Sequence, residues 1–199
     1  MNAVSDAAAS VPAGRAYSSP PAVPADLMAE LRTDHAGETG AVWIYQGVLA
    51  ITRDAALRDF AQRHLATEQE HLRLMCELVP PRQRSWLLGP WRVAGFITGA
   101  LPALFGLRAV YGTIAAVETF VDKHYEDQIR ALDGRPEHIA LRDLLLTCQA
   151  DECHHRDEAQ ALLLAAGGSI TQKPGLLLRL WCAVVGWGSE TAVKIARRI

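Results

Sequence analysis

The sequence predicts an all-α fold: a four-helix bundle with a long apolar crossover and an additional amphipathic helix at the C-terminal end. Three observations predict it. Apolar residues recur at three- and four-residue spacing over long stretches, with few β-branched alternations. Strong turn signals are few and far apart, at Pro80-Pro81 and Asp133-Gly134-Arg135-Pro136. Between the expected second and third helices lie residues 80–102, far more chain than the 2–8 residues or so that join adjacent antiparallel helices.

Each element follows from local signals. Residues 1–24 are rich in Ala, Ser and Pro and carry one basic residue, Arg15. They lack both the apolar core of a signal peptide and the arginines of a transit peptide, so residues 1–25 read as a disordered tail. A first helix is expected over residues 26–52, with Pro24 just ahead of it. Asp54 can cap a second helix, which runs to Val79 and stops at Pro80-Pro81. An apolar stretch covers residues 86–117, broken at Gly89-Pro90 and Pro102. A helix carrying Glu118 ends near Leu132, and another spans residues 137–166 before Gly167-Gly168, a C-cap signal. A final apolar segment, residues 175–199, has Lys194, Arg197 and Arg198 near its end. A chain of 199 residues suits one core, so residues 26–199 are expected to form a single domain.

The balance of 20 basic and 22 acidic residues gives no basis for a nucleic-acid partner, which calls for a basic face. Cys76, Cys148, Cys153 and Cys182 form no C-x-x-C pair and read as reduced thiols in a cytosol-like compartment.

Six residues carry the chemistry. Glu68/His71 and Glu152/His155 are two E-x-x-H motifs, each placing a carboxylate and an imidazole on one helix face. With 11 Glu and 7 His in the chain, about 0.4 such motifs are expected by chance, so the motif alone decides little. The spacing adds more. Residue 53, midway between Glu38 and Glu68, falls in the first expected turn, and residue 135, midway between Glu118 and Glu152, falls in the Gly134-Arg135-Pro136 turn. Residues equidistant from a hairpin turn share a height, so each hairpin sets a lone Glu opposite an E-x-x-H, roughly 22 Å from its turn. Glu38, Glu68, His71, Glu118, Glu152 and His155 can then converge inside the bundle. This is the arrangement of ferritin-like di-iron carboxylate bundles. Taken singly, each is a surface residue by default; four carboxylates buried together need cations to neutralise them.

The remaining polar residues divide by helix face. Glu70 and His154 should point away from it, and His64, His124 and His138 are expected to be structural or exposed. Asp151, next to Glu152, can reach across to orient a ligand histidine, or can be an ordinary surface aspartate. Tyr125, two turns after Glu118, can border the site or simply fill the core. Oxygen-rich donors with two imidazoles suit iron or manganese better than zinc. The pattern leaves iron storage, peroxide reduction and oxygenation open.

The apolar segments bear on that choice. Residues 93–107 contain no charge, lie between Arg92 and Arg108, and are interrupted by Gly95, Gly99 and Pro102. They are too short and broken for a spanning helix. Residues 80–103 and 175–199 instead suit a membrane interface, with Trp86, Trp91, Trp181 and Trp187 at headgroup level. A substrate drawn from the bilayer between them would be a lipid. The competing reading has both segments covering the core or a subunit interface.

Asp34-His35-Ala36-Gly37-Glu38, then Ala116-Val117-Glu118 with His124-Tyr125, and Asp151-Glu152-Cys153-His154-His155 together resemble the demethoxyubiquinone hydroxylase family of ubiquinone biosynthesis. The resemblance covers residues 31–166 and all six ligand positions. It implies a di-iron mono-oxygenase that uses dioxygen to hydroxylate the ring of a polyprenylated methoxy-benzoquinol. It also implies two iron ions, an external reductant such as NADH, and other ubiquinone-biosynthesis proteins or a homo-oligomer as partners. The expected place is the cytoplasmic face of a bacterial membrane, or the matrix side of the mitochondrial inner membrane. The alternative is another ferritin-like di-iron protein: a soluble hydroxylase, a peroxidase or an iron store.

Overall fold

The computed structural model describes residues 21–167 and 175–198. Most of the expected N-terminal tail, residues 1–20, lies outside the described residues, as do Gly168 and Ile199. Six α-helices and two 3-10 turns make up the described secondary structure, and among the described residues there is no strand.

Helices α1 (Met28–Ile51) and α2 (Ala55–Leu78) form the first hairpin. Its turn closes as expected: Asp54 Oδ1 accepts the Leu57 backbone N–H at 2.9 Å, satisfying one of the orphan donors of a helix start. Helices α4 (Leu107–Ala131) and α5 (Ile139–Ala165) form the second hairpin. Gly134, with φ of 76°, makes its turn, and Arg135 pairs with Asp26 at 2.9 Å. The two turns lie at opposite ends of the bundle, because α1, which begins the first hairpin, starts at the end where α4 finishes.

That polarity demands a return path, supplied by α3 (Leu88–Ala103). Its 16 residues rise about 24 Å, the length of the returning crossover. Here the structure corrects the sequence reading. Gly89-Pro90 does not break the apolar stretch; Pro90 sits in the first turn of α3, where its missing N–H would have had no intrahelical partner. Pro102 falls in the last turn, and the real break is Gly106, whose φ of 92° restarts the chain as α4. Gly95 and Gly99 are contact points rather than interruptions. A Cβ on Gly95 would lie 2.3 Å from the Gly40 carbonyl oxygen, and one on Gly99 would lie 1.9 Å from that of Ile44. The α1 and α3 backbones therefore run side by side and parallel. The last helix, α6 (Leu176–Ala196), packs on α4 and α1; Trp181 Nε1 donates to Thr113 Oγ1 at 2.8 Å, and Arg197 pairs with Glu30 at 2.8 Å.

The apolar core comes in two layers. One gathers Tyr45, Val48, Phe60, Tyr111 and Ile114 near the α1–α2 turn, and the other gathers Leu31, Met75, Leu141, Leu144 and Leu145 near the α4–α5 turn. Between them lies a slab of buried acidic and imidazole groups.

Candidate metal centre

All six sequence-selected residues meet in that slab. Glu38 comes from α1, Glu68 and His71 from α2, Glu118 from α4, and Glu152 and His155 from α5; each is at most 4 % exposed. They fall into two groups of four, Glu38–Glu68–His71–Glu152 and Glu68–Glu118–Glu152–His155, within which the ligand atoms lie within 4.8 Å of one another. Glu68 and Glu152 belong to both groups. The two carboxylates of the E-x-x-H motifs thus sit centrally, with one imidazole and one lone Glu at each end.

His155 Nδ1 lies 3.0 Å from Glu68 Oε1, yet that nitrogen and both Glu68 oxygens have no hydrogen-bond partner among the described residues. Burial raises the pKa of Glu38 and of Glu118 well above the ordinary carboxylate range, and the neighbouring Glu152 and Glu68 raise both further. Burial works against a charged Glu152 too, but the imidazoles of His155, 3.5 Å away, and His71, 2.9 Å away, hold it at about 2. Burial likewise opposes a charged His155, and the neighbouring carboxylates of Glu152 and Glu68 outweigh it, taking it to about 11. Without other cations, protons must do the neutralising. Donor atoms that face one another without hydrogen-bond alignment, around two shared carboxylates, suit a pair of cations.

The surrounding groups hold these six side chains in place. Asp151 Oδ2 lies 3.1 Å from His71 Nε2, which leaves Nδ1 turned toward Glu152 at 2.9 Å. An acid on the far ring nitrogen is the usual device for orienting a ligand imidazole. Tyr125, seven residues after Glu118, donates to Glu38 Oε1 at 2.5 Å. The sequence reading missed its counterpart: Tyr45, seven residues after Glu38, donates to Glu118 Oε1 at 3.2 Å. Each lone-Glu helix thus carries a tyrosine that secures the other helix's Glu, and the shared seven-residue spacing was there to be found. His64 was also missed as a site neighbour. One turn before Glu68, it is buried, stacks on His155 at 4.0 Å, and bridges Tyr45 (3.2 Å) to Glu158 (2.7 Å). Glu70 and His154 are exposed, as expected.

One side of this centre opens. A cavity of about 350 Å³ lies between α3 and α6 and is lined at its inner end by Glu38, Glu68, Glu118, Glu152 and Tyr125. Its walls are apolar over most of their length, with Trp91 and Ala94 from α3 and Trp181 and Val185 from α6. An apolar pocket ending on a few convergent polar groups is the usual form of a small-molecule site.

A family model described as ubiquinone biosynthesis protein COQ7 matches residues 25–196. The chain belongs to the COQ7 family. Among its relatives, the 3-demethoxyubiquinol 3-hydroxylase of Rhodospirillum rubrum is 38 % identical over 162 residues, 76 % of this chain and 74 % of that one. The NADPH-dependent 3-demethoxyubiquinone 3-hydroxylase, mitochondrial, of Dictyostelium discoideum is 36 % identical over 172 residues, 85 % of this chain and 76 % of its own. The Homo sapiens protein of the same name is 37 % identical over 131 residues, 64 % of this chain and 60 % of its own. The match to the COQ7 family spans every helix described above, including α3 and α6.

Proposed function

We propose that this COQ7-family chain is a mono-oxygenase that hydroxylates the ring of a polyprenylated methoxy-benzoquinol, as the names of its relatives indicate for them. The observation that carries the proposal is the cavity between α3 and α6, apolar along its walls and ending on four of the six clustered acids and imidazoles. An iron store has no need of such a pocket.

In this reading Glu38, Glu68, His71, Glu118, Glu152 and His155 would hold two iron ions. The iron pair, when bound, supplies the redox chemistry that activates dioxygen. One oxygen atom enters a ring C–H bond as hydroxyl; the other leaves as water, which takes two protons and two electrons from an external reductant. A pyridine nucleotide is the candidate donor, since the Dictyostelium discoideum relative is named as NADPH-dependent. The protein's own residues fix the geometry. Asp151 orients His71, Tyr125 and Tyr45 hold Glu38 and Glu118, and the two apolar core layers keep bulk water from the slab between them. Residues 26–199 work as one domain in this reading. Its place is the surface of a membrane, reached by α3 and α6, on the cytoplasmic side of a bacterial cell; the matrix side of the inner membrane applies if the source is mitochondrial. Other quinone-biosynthesis proteins or a second copy of the chain would be its protein partners.

Expressing the chain in cells that lack this hydroxylase, and profiling their quinones, tests the proposal. The demethoxy precursor should disappear and the fully substituted quinone should return. Glu152→Ala and His155→Ala should each leave the precursor in place and reduce bound iron from two ions per chain, with the helical circular dichroism retained. An unchanged precursor pool in cells containing the folded, iron-loaded chain would falsify the activity.

A further inference from the structure

The cavity wall carries one polar cluster that the candidate ligands do not explain. Thr33 and Asp34 on α1 and His124 on α4 all line it. Gln128, one turn after His124, donates to Asp34 Oδ1 at 2.7 Å. His124 Nε2 lies 3.0 Å from that oxygen and 2.8 Å from Thr33 Oγ1, which itself donates to the Glu30 carbonyl. Burial works against a charged His124, and the neighbouring Asp34 carboxylate outweighs it, raising the pKa of the imidazole.

All of this occupies a single oxygen of the carboxylate. Asp34 is 4 % exposed, and its Oδ2 has no partner among the described residues; the same holds for Gln128 Oε1. Trp91 also lines the cavity, and its indole N–H is buried without a partner among the described residues. Buried polar atoms are nearly always satisfied, so a cluster of exceptions on a cavity wall points to groups that a bound molecule completes.

The chemistry of the unmet needs is specific. Asp34 Oδ2 is an acceptor and lacks a donor. A quinone ring presents carbonyl oxygens, which are acceptors only, whereas the reduced ring presents O–H groups. The Trp91 N–H can be accepted by an oxygen of either form. Resting on the hydroxylase reading above, we propose that Asp34, held by His124 and Gln128, accepts a hydrogen bond from a ring hydroxyl and makes the cavity select the dihydroxy ring over the quinone. The relatives' names divide on this point, one carrying quinol and another quinone. A site built to accept a hydroxyl rejects an analogue that lacks it strongly, because the buried acceptor is then left unpaired.

Binding without turnover tests the inference. The iron-loaded full chain is titrated without oxygen with a methoxy-methyl-1,4-benzoquinone bearing one isoprenyl unit, and separately with its hydroquinone, following quenching of tryptophan fluorescence. The wild-type chain should bind the hydroquinone at least about tenfold more tightly. Asp34→Asn, with iron content and helicity unchanged, should shrink that ratio to about threefold or less. Trp91→Phe should weaken both forms together and preserve the ratio. Wild-type affinities that differ by less than threefold overturn the proposal without need of any variant, as does a tenfold ratio that survives in Asp34→Asn. Hydroxylation with no redox preference removes the role of Asp34 and leaves the activity standing; binding of neither form overturns both.

Discussion

Four carboxylates and two imidazoles share one dry slab, and that charge problem sets the chain's response to pH. In the metal-free chain, burial and like-charge neighbours raise the Glu38 and Glu118 pKa values, so the folded state keeps protons that the unfolded state releases above about 4.5. Stability then falls as pH rises. His155 adds to the same trend: its proton stabilises the fold fully below about 6.5, and that contribution is lost as pH climbs toward about 11. Glu152, held at about 2, loses its contribution only as pH falls from about 4.5 toward 2, below the relevant window. Bound cations replace those protons and bind better as protons leave. From pH 5 to 8 the thermal midpoint of the metal-free chain should therefore fall, and its gap to the iron-loaded chain should widen by at least about 3 °C, the effect of about 1 kcal/mol at this size. Calorimetry of both forms checks this; a gap that stays constant would refute it. At this scale the six clustered residues were legible because helix periodicity and distance from a turn are properties of sequence. The stacking of His64 on His155 was not, since it joins α2 to α5 and depends on how the two hairpins dock. Tyr45 was legible and overlooked.

Among the elements, α3 departs most from its sequence. Its glycines and prolines look like interruptions in the sequence, yet Pro90 falls where a helix tolerates it, and Gly95 and Gly99 admit the α1 backbone. Periodicity gave the helices of both hairpins because each buries one face against its partner. It could not give α3, whose inner face is recognised by missing side chains instead of large apolar ones. The close approach has a measurable consequence. In Gly99→Ala the new Cβ meets the Ile44 carbonyl at 1.9 Å, a backbone atom that cannot swing aside, so α3 must lift from α1. The expected loss is about 2 kcal/mol or more, or roughly 5 °C in thermal midpoint. Gly40 lies on the same contact, but a Cβ there meets nothing within 4 Å. Gly40→Ala should stay within about 1 kcal/mol of wild type, helped by alanine's better helix propensity. Denaturant unfolding of the two variants separates them; equal losses would show that the α1–α3 approach is looser than described.

At the scale of the whole molecule, α3 packs on α1, and α6 packs on α4 and α1, around one cavity, and each leaves an outer flank to solvent. Those flanks are greasy. Val93, Ile97, Leu101 and Leu104 form an exposed row on α3 that continues into Phe105, 76 % exposed, and Leu177, Leu180, Val184 and Trp187 form another on α6. Contiguous apolar surface of this extent marks an interaction face, whereas a lone exposed Ile139 on α5 is ordinary. The α6 segment is also long and apolar enough to cross a membrane by length and composition alone, but Trp181, Cys182 and Arg197 tie it to the bundle, which favours lying along the surface. Full burial of one large apolar side chain is worth about 1.5–3 kcal/mol, so Leu101→Asp combined with Phe105→Asp should lower partitioning onto vesicles more than about tenfold. Ile139→Asp should leave it unchanged. The consequence for catalysis follows from where the cavity opens. A long-tailed quinol stays in the bilayer, and a detached enzyme meets it rarely, so turnover of that substrate should collapse in the double variant. A water-soluble analogue with one isoprenyl unit reaches the same cavity through solvent and should be hydroxylated at close to the wild-type rate. Equal losses on the two substrates would mean that the substitutions damage the site itself, and that the apolar flank serves some purpose other than delivering a lipid to it.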